Sequence, residues 1–154
     1  MPSLRDEIKQ QKPFRSLQEE ASLSVVRTSA LLIDTFERLL RPYGITGTQY
    51  NVLRILRGSE PSGLCRNEIR DRMLTRMPDV TRLLDRMEDA GLIARTREDN
   101  DRRMVRTRIS VKGRRLLDEL DDVVVQEHQR VFAGLSRDEL RALITHLGAV
   151  REQT

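Results

Sequence analysis

The sequence predicts a mainly helical chain interrupted once by a small β-hairpin. Three observations carry that prediction. Apolar residues recur at helical spacing along most of the 154 residues. Two short helical stretches follow one another across a tight turn around residues 74–77. Between residues 92 and 110 alone, the period drops to two. A chain of this length can bury roughly two thirds of its unfolded surface, enough for one core.

Met1 to Lys12 is polar and expected to fray. From Phe14, the positions Phe14, Leu17, Ala21, Val25, Leu32, Phe36 and Leu39 keep helical spacing to about Arg41. Pro42 and Gly44 end that helix. Thr46-Gly47-Thr48-Gln49 is a capping box, in which Gln49 can reach back to the Thr46 amide. It opens a short helix carrying Tyr50, Leu53 and Leu56, stopped by Gly58 and Pro61. Leu64 can add one residue to a sheet edge. Cys65 to Met73 reads as another short helix with Ile69 and Met73 inward.

Thr75 to Leu92 follows, and it is the most informative stretch. Val80, Leu83, Leu84 and Met87 form one apolar stripe, while Asp79, Arg82 and Arg86 fall on a different face. Pro78 suits the first turn, and Gly91 supplies a left-handed terminator. Arg76, Arg82 and Arg86 lead; Asp85, Glu88 and Asp89 trail. A helix that offers its N-terminal end to a DNA major groove needs that polarity. An ordinary surface helix with paired Arg and Asp side chains fits the same pattern.

Leu92 to Arg97 and Met104 to Ser110 then alternate as strands do. Ile93, Arg95 and Arg97 share one face of the first; Val105, Thr107 and Ile109 share one face of the second. Glu98-Asp99-Asn100-Asp101 between them is turn-forming. Two strands and a charged loop directly after such a helix make a winged helix. Arg102 and Arg103 at the wing base can reach a minor groove, whose negative potential attracts guanidinium groups. A solvated hairpin that touches no DNA is the alternative.

Helical period returns from Val111, through Leu116, Leu120, Val123, Val124, Val131 and Phe132, up to Gly134. Ser136-Arg137-Asp138-Glu139 is a second capping box, with Leu135 and Leu140 as a hydrophobic staple. Leu140, Leu143, Ile144, Leu147 and Val150 stripe this last helix. A stripe so apolar must cover something, either the chain's own core or a second copy.

Composition narrows the function classes. Net charge is +4, and Lys9, Lys12 and Lys112 are the only lysines, so nearly all of the 28 basic residues are arginine. Arginine suits bidentate contact with phosphate and guanine, although a GC-rich genome also raises its count. One cysteine allows no internal disulfide and fits a reducing cytosol. No stretch reaches the roughly 18 to 20 apolar residues of a membrane span, and no signal-peptide core is seen. A soluble, cytoplasmic protein without a membrane role is the expectation. Tryptophan is absent and aromatics are few, which argues against stacking single-stranded bases. There is no glycine-rich phosphate loop, no H-E-x-x-H and no paired cysteines, so neither enzyme nor cofactor is expected. His128 and His146 lie far apart, and no metal site is expected from them.

The chain resembles the MarR family of bacterial transcription regulators. The wing motif of that family, D-x-R followed after five residues by L-T, is similar to Asp101-Arg102-Arg103, Met104 to Arg108 and Ile109-Ser110, with Ile for Leu and Ser for Thr. PDVTRLLDRMEDAGLI (Pro78 to Ile93) and ITGTQYNVLRIL (Ile45 to Leu56) resemble family segments in the right order. The resemblance implies one domain over residues 1–154, with about six helices and a two- to three-stranded sheet. Residues 45–110 would be a winged helix-turn-helix, and residues 13–42 and 111–154 dimerisation helices. It implies a homodimer on palindromic double-stranded operator DNA, at the bacterial nucleoid, in most such cases a repressor.

Residue by residue, Arg103 would enter the minor groove, with Arg102 beside it and Asp101 bracing it by an ion pair. Pro78, Asp79, Thr81, Arg82 and Arg86 would line the leading half of the recognition helix. Arg82 would read bases, Thr81 and Arg76 phosphates, and Asp79 would complement the helix dipole; Arg95 joins the DNA-facing set. Phe14, Leu17, Leu140, Leu143, Ile144 and Leu147 would meet the second copy. The resemblance also implies a small anionic or aromatic effector, whose pocket the residue types do not reveal. Cys65, where a helix N-cap belongs, leaves open a thiol-based redox sensor or an inert packed cysteine. A helix-turn-helix that binds proteins rather than DNA is the third reading.

Overall fold

The computed structural model describes residues 3–98 and 104–154. Asp101, Arg102 and Arg103 therefore lie outside the described residues. Among those described, seven α-helices and one two-stranded sheet appear. A single turn, α1 (Leu4–Glu7), precedes the long α2 (Leu17–Leu40). A 3₁₀ turn at Arg41–Tyr43, with Pro42 near its start and Gly44 at φ 72°, ends α2 as the sequence suggested. Ser16 caps α2, so Phe14 lies outside the helix despite its helical spacing.

The next unit is α3 (Gly47–Arg57), α4 (Arg66–Arg72), α5 (Val80–Asp89), β1 (Ile93–Arg97) and β2 (Val105–Ile109). The Thr46 and Gln49 capping box opens α3. β1 and β2 pair antiparallel in the register Ile93 to Ile109, Arg95 to Thr107 and Arg97 to Val105. Leu64 adds one bridge to Thr107, a third strand reduced to a single residue. Gly63, at φ 67°, turns the chain into that bridge, where a Cβ would stand 2.6 Å from the Thr107 carbonyl oxygen. Only glycine fits both the dihedral and the gap.

Two long helices complete the chain, α6 (Val111–Val131) and α7 (Arg137–Arg151), the latter opened by the Ser136 and Glu139 capping box. On α6 the inward residues are Leu117, Leu120 and Val124. Leu117 belongs to this row, whereas Leu116, expected on the stripe, is only partly buried beside it. The core is one cluster in which α3, α5, the sheet and α6 meet, centred on Leu53, Leu56, Leu84, Met87, Leu117 and Leu120. Gly113 sits at the tightest point, where a Cβ would overlap the Leu92 carbonyl oxygen and crowd Ile109 and Leu53. Across the α3–α6 seam, Arg57 donates to both carboxylate oxygens of Asp121, at 2.7 and 2.9 Å. This bidentate ion pair holds the Asp121 carboxyl below its ordinary range and fixes the two helices in register.

Outside that core the terminal helices bury little. Leu40 is the one buried residue of α2, and α7 has none. No helix among the described residues is long and apolar enough to cross a membrane.

Candidate nucleic-acid interface

Helix α5 begins later than its sequence suggests. Asp79 is its N-cap, with its carboxylate accepting the Arg82 amide at 3.0 Å. Pro78 therefore stands one residue before the cap rather than in the first turn, and residues 73–79 form a non-helical connection. The reason is local: proline disfavours helical dihedrals in the residue before it, and aspartate satisfies an orphan amide better than another turn of helix would. The far end closes as expected. Gly91, at φ 72°, donates to the Glu88 carbonyl, and Leu92 donates to the Met87 carbonyl, which is the Schellman pattern.

Burial sorts α5 into two faces. Val80, Leu83, Leu84 and Met87 are buried against the core. Thr81, Arg82 and Arg86 are exposed, and the Arg82 side chain is 81% accessible. Arg76 is exposed on the connection before α5. Arg66, at the start of α4, donates to the Thr81 hydroxyl at 3.2 Å, so a further cation stands beside the leading turn of α5. Sequence reasoning missed Arg66 because it lies 15 residues from Thr81, with a whole helix and turn between them.

Arg95 differs from the other arginines. Its Nε donates to Glu88 at 2.8 Å, its Nη2 reaches Asp85 at 2.7 Å, and its backbone amide donates to Glu88 at 3.1 Å. The Arg95 guanidinium holds the Glu88 carboxyl below its ordinary value. Arg95 thus ties β1 to the acidic trailing half of α5, and its guanidinium is engaged within the chain. Arg106 does the same on the neighbouring strand. It donates to Glu98 at 3.0 Å and to Glu68 of α4 at 2.9 Å, and Glu98 keeps the guanidinium firmly protonated. Two arginines of the hairpin therefore fasten the wing base to both helices of the pair. Arg82 thus points outward from the first turn of α5, while Asp85 and Glu88 of its trailing half are drawn toward the wing.

Cys65 is the N-cap of α4 and half-buried, with Glu68 accepting its amide at 2.8 Å. No cluster of three or more metal-ligating side chains is found among the described residues.

Residues of α2, α3 and α6 line an open cavity of about 340 Å³. Phe36 stacks on His128 at 5.9 Å and meets Tyr50 edge-on at 5.3 Å, giving the cavity an aromatic wall. Arg54, 6.0 Å from the Tyr50 ring centre, brings a cation, and Glu37 and Glu127 bring anions that are already engaged. Glu37 accepts the Gly47 amide at 2.8 Å, and Glu127 is paired with Arg130. Leu74 and Thr75, from the connection before α5, complete the lining.

Comparison with known proteins agrees with this geometry. A sequence model of the MarR family matches residues 43–104. The uncharacterized HTH-type transcriptional regulator YkoM of Bacillus subtilis is 31% identical, over 70% of this chain and 68% of that protein. A MarR transcription factor from Planctomyces limnophilus is 37% identical, with a TM-score of 0.68 over 89% of this chain and 99% of its own. The transcriptional repressor CouR, bound to a 23-mer DNA duplex, is 27% identical, with a TM-score of 0.79 over 92% of this chain and 99% of its own.

Proposed function

Taking as premise that the chain belongs to the MarR family, whose members are transcription regulators and not enzymes, we propose that it binds operator DNA as a homodimer and represses transcription. The observation that carries this reading is the two-faced α5, with an apolar stripe wholly buried and Thr81, Arg82 and Arg86 turned outward. Arg82 and Arg86 read base edges in the major groove, while Thr81, Arg66 and Arg76 contact phosphates. Asp79 is occupied as the cap and steadies the first turn. Arg102 and Arg103, braced by Asp101, extend from the wing into the minor groove. Residues 45–110 form the DNA-reading unit.

Residues 13–42 and 111–154 supply the dimer interface. Leu17, Ile144 and Val150 are 80%, 65% and 58% exposed in the single chain, and Phe14, Leu140, Leu143 and Leu147 are half-buried. A solvated monomer rarely shows so extended an apolar surface, and a two-fold partner covers it. The same symmetry spaces two copies of α5 along a palindrome. The aromatic cavity with Arg54 accepts a small anionic aromatic effector that releases the DNA, and such a repressor works in the bacterial cytoplasm at the nucleoid.

Binding isotherms on duplex DNA at two salt concentrations test the reading. Affinity should fall by about a hundredfold or more between 50 and 200 mM salt for a dimer with many phosphate contacts. Weak, salt-independent association would instead favour a protein-interaction module.

A further inference from the structure

The connection between α4 and α5 is held to the rest of the chain by very little. Residues 74–78 carry most of the turn that delivers Asp79, the cap of α5, to its place. Among the described residues, one hydrogen bond reaches this segment: the Leu74 amide donates to the side-chain oxygen of Asn51 at 3.0 Å. The Leu74 side chain gives no anchorage, since it is 85% exposed, and Met77 alone of the five packs against the core. Asn51 lies on α3, half-buried, one residue past Tyr50 and three before Arg54. All three line the aromatic cavity, and so do Leu74 and Thr75. The donor and the acceptor of this bond are therefore both part of the cavity wall.

We propose that Asn51 is the positioning residue that links occupancy of this cavity to the placement of α5. The Asn51 oxygen holds the Leu74 amide and sets the connection. A ligand anchored on Arg54 by an anionic group, and carrying a hydroxyl or N–H donor on its far side, competes for the Asn51 oxygen. The Leu74 amide then turns to water, and the connection loses its tie to α3. The amide group of asparagine suits this exchange because its oxygen accepts while its nitrogen donates, so it can serve the backbone or a ligand. The proposal rests on the reading of the cavity as an effector site and of α5 as the DNA-reading helix, and adds the device that joins them.

The test uses the full chain and a duplex enriched by the wild-type protein from a random pool. Asn51→Leu removes the acceptor at nearly the same size, Asn51→Ala removes it with less bulk, and Asn51→Asp retains an acceptor oxygen. Losing one bond of this kind should weaken DNA binding roughly fivefold in Asn51→Leu and Asn51→Ala. The salt slope should stay at the wild-type value, because no phosphate contact is removed. Asn51→Asp should bind within about twofold of wild type, a rescue that a merely space-filling role would not give. Amide hydrogen exchange at Leu74 should be faster in the Leu and Ala variants and unchanged in the Asp variant. Wild-type affinity in both acceptor-less variants would overturn the proposal, as would an Asp variant as weak as they are. If the wild-type chain enriches no duplex, the DNA-binding reading itself fails, and exchange at Leu74 still decides whether Asn51 holds the connection.

Discussion

The winged unit and the terminal helices are built from similar residues but solve opposite problems. In the winged unit, the stripes of α3 and α5 are buried within the chain, and Leu74 is the one large apolar side chain more than half exposed among its described residues. Along α2 and α7, Leu17, Val26, Ile33 and Ile144 are all more than half exposed, although their helical spacing is as regular. The difference teaches that an apolar stripe marks a face to be covered without saying by what. The winged unit covers its own. The terminal helices leave theirs exposed in the single chain, the face that the proposed second copy would cover.

Arginine shows the same division at smaller scale. Arg57, Arg95 and Arg106 are bound to carboxylates across element boundaries and act as fasteners. Arg76, Arg82 and Arg86 stand exposed, on the connection before α5, in its first turn and in its last turn respectively. Even Arg82, whose Nε lies 3.9 Å from Asp79, keeps an exposed side chain, so what separates the two sets is whether the guanidinium bridges two elements or stays open to solvent.

The comparison can be broken most forcefully in the core. Met87→Ala should cost about 2–5 kcal/mol in chemical denaturation, because its side chain is fully buried. Gly113→Ala belongs to the same class, since the helix must move off Leu92 to admit a methyl group, and about 1–3 kcal/mol is expected. At the terminal helices, Ile144→Asp should leave the chain folded and weaken self-association about tenfold or more. Sedimentation velocity reads that shift directly; an unchanged dimer would place the interface elsewhere.

Among the arginines, Arg82→Ala should cost about 1–3 kcal/mol of discrimination between duplex sequences. Arg103→Ala should weaken all sequences alike and lower the salt slope by about one. If Arg95 serves only to hold β1 to α5, Arg95→Gln should lose affinity with the slope unchanged. A reduced slope in Arg95→Gln would return that residue to the DNA-facing set.

The smallest effect concerns pH. Glu88 has its carboxyl lowered from 4.5, first by the hydrogen bond from the Arg95 side chain. A depressed carboxyl stabilises the folded chain above its unfolded value and loses that contribution as pH falls through the folded one. Thermal melts should therefore show part of the acid destabilisation below about pH 4.5 disappear in Glu88→Gln. The effect stays modest, since the Glu88 side chain is about a third exposed and water screens the pair.

Much of the architecture was legible because its signals are local. The capping boxes at Thr46 and Ser136, the left-handed Gly91 and the two alternating strands each occupy a handful of consecutive residues, and all appear where expected. Pro78 misled because proline is favoured in a helix's first turn and also just before a cap, and only the competing Asp79 settles which. Phe14 fell at the right spacing on the wrong side of Ser16. The contacts that organise the candidate site were not legible at all. Glu68 meets Arg106 across 38 residues and Asn51 meets Leu74 across 23, separations at which period and capping carry no information. The pairing of Arg95 with Glu88 was equally hidden, since it is the turn at Gly91 that folds Glu88 back beside it.

Hydroxyl-radical footprinting of the enriched duplex tests the central claim most directly. Two outward-facing copies of α5, held by the terminal helices, should protect two major-groove half-sites about 10 base pairs apart and related by a dyad, with protected minor groove on their outer flanks. A single unrepeated patch, or protection that survives Arg82→Ala and Arg86→Ala together, would contradict it.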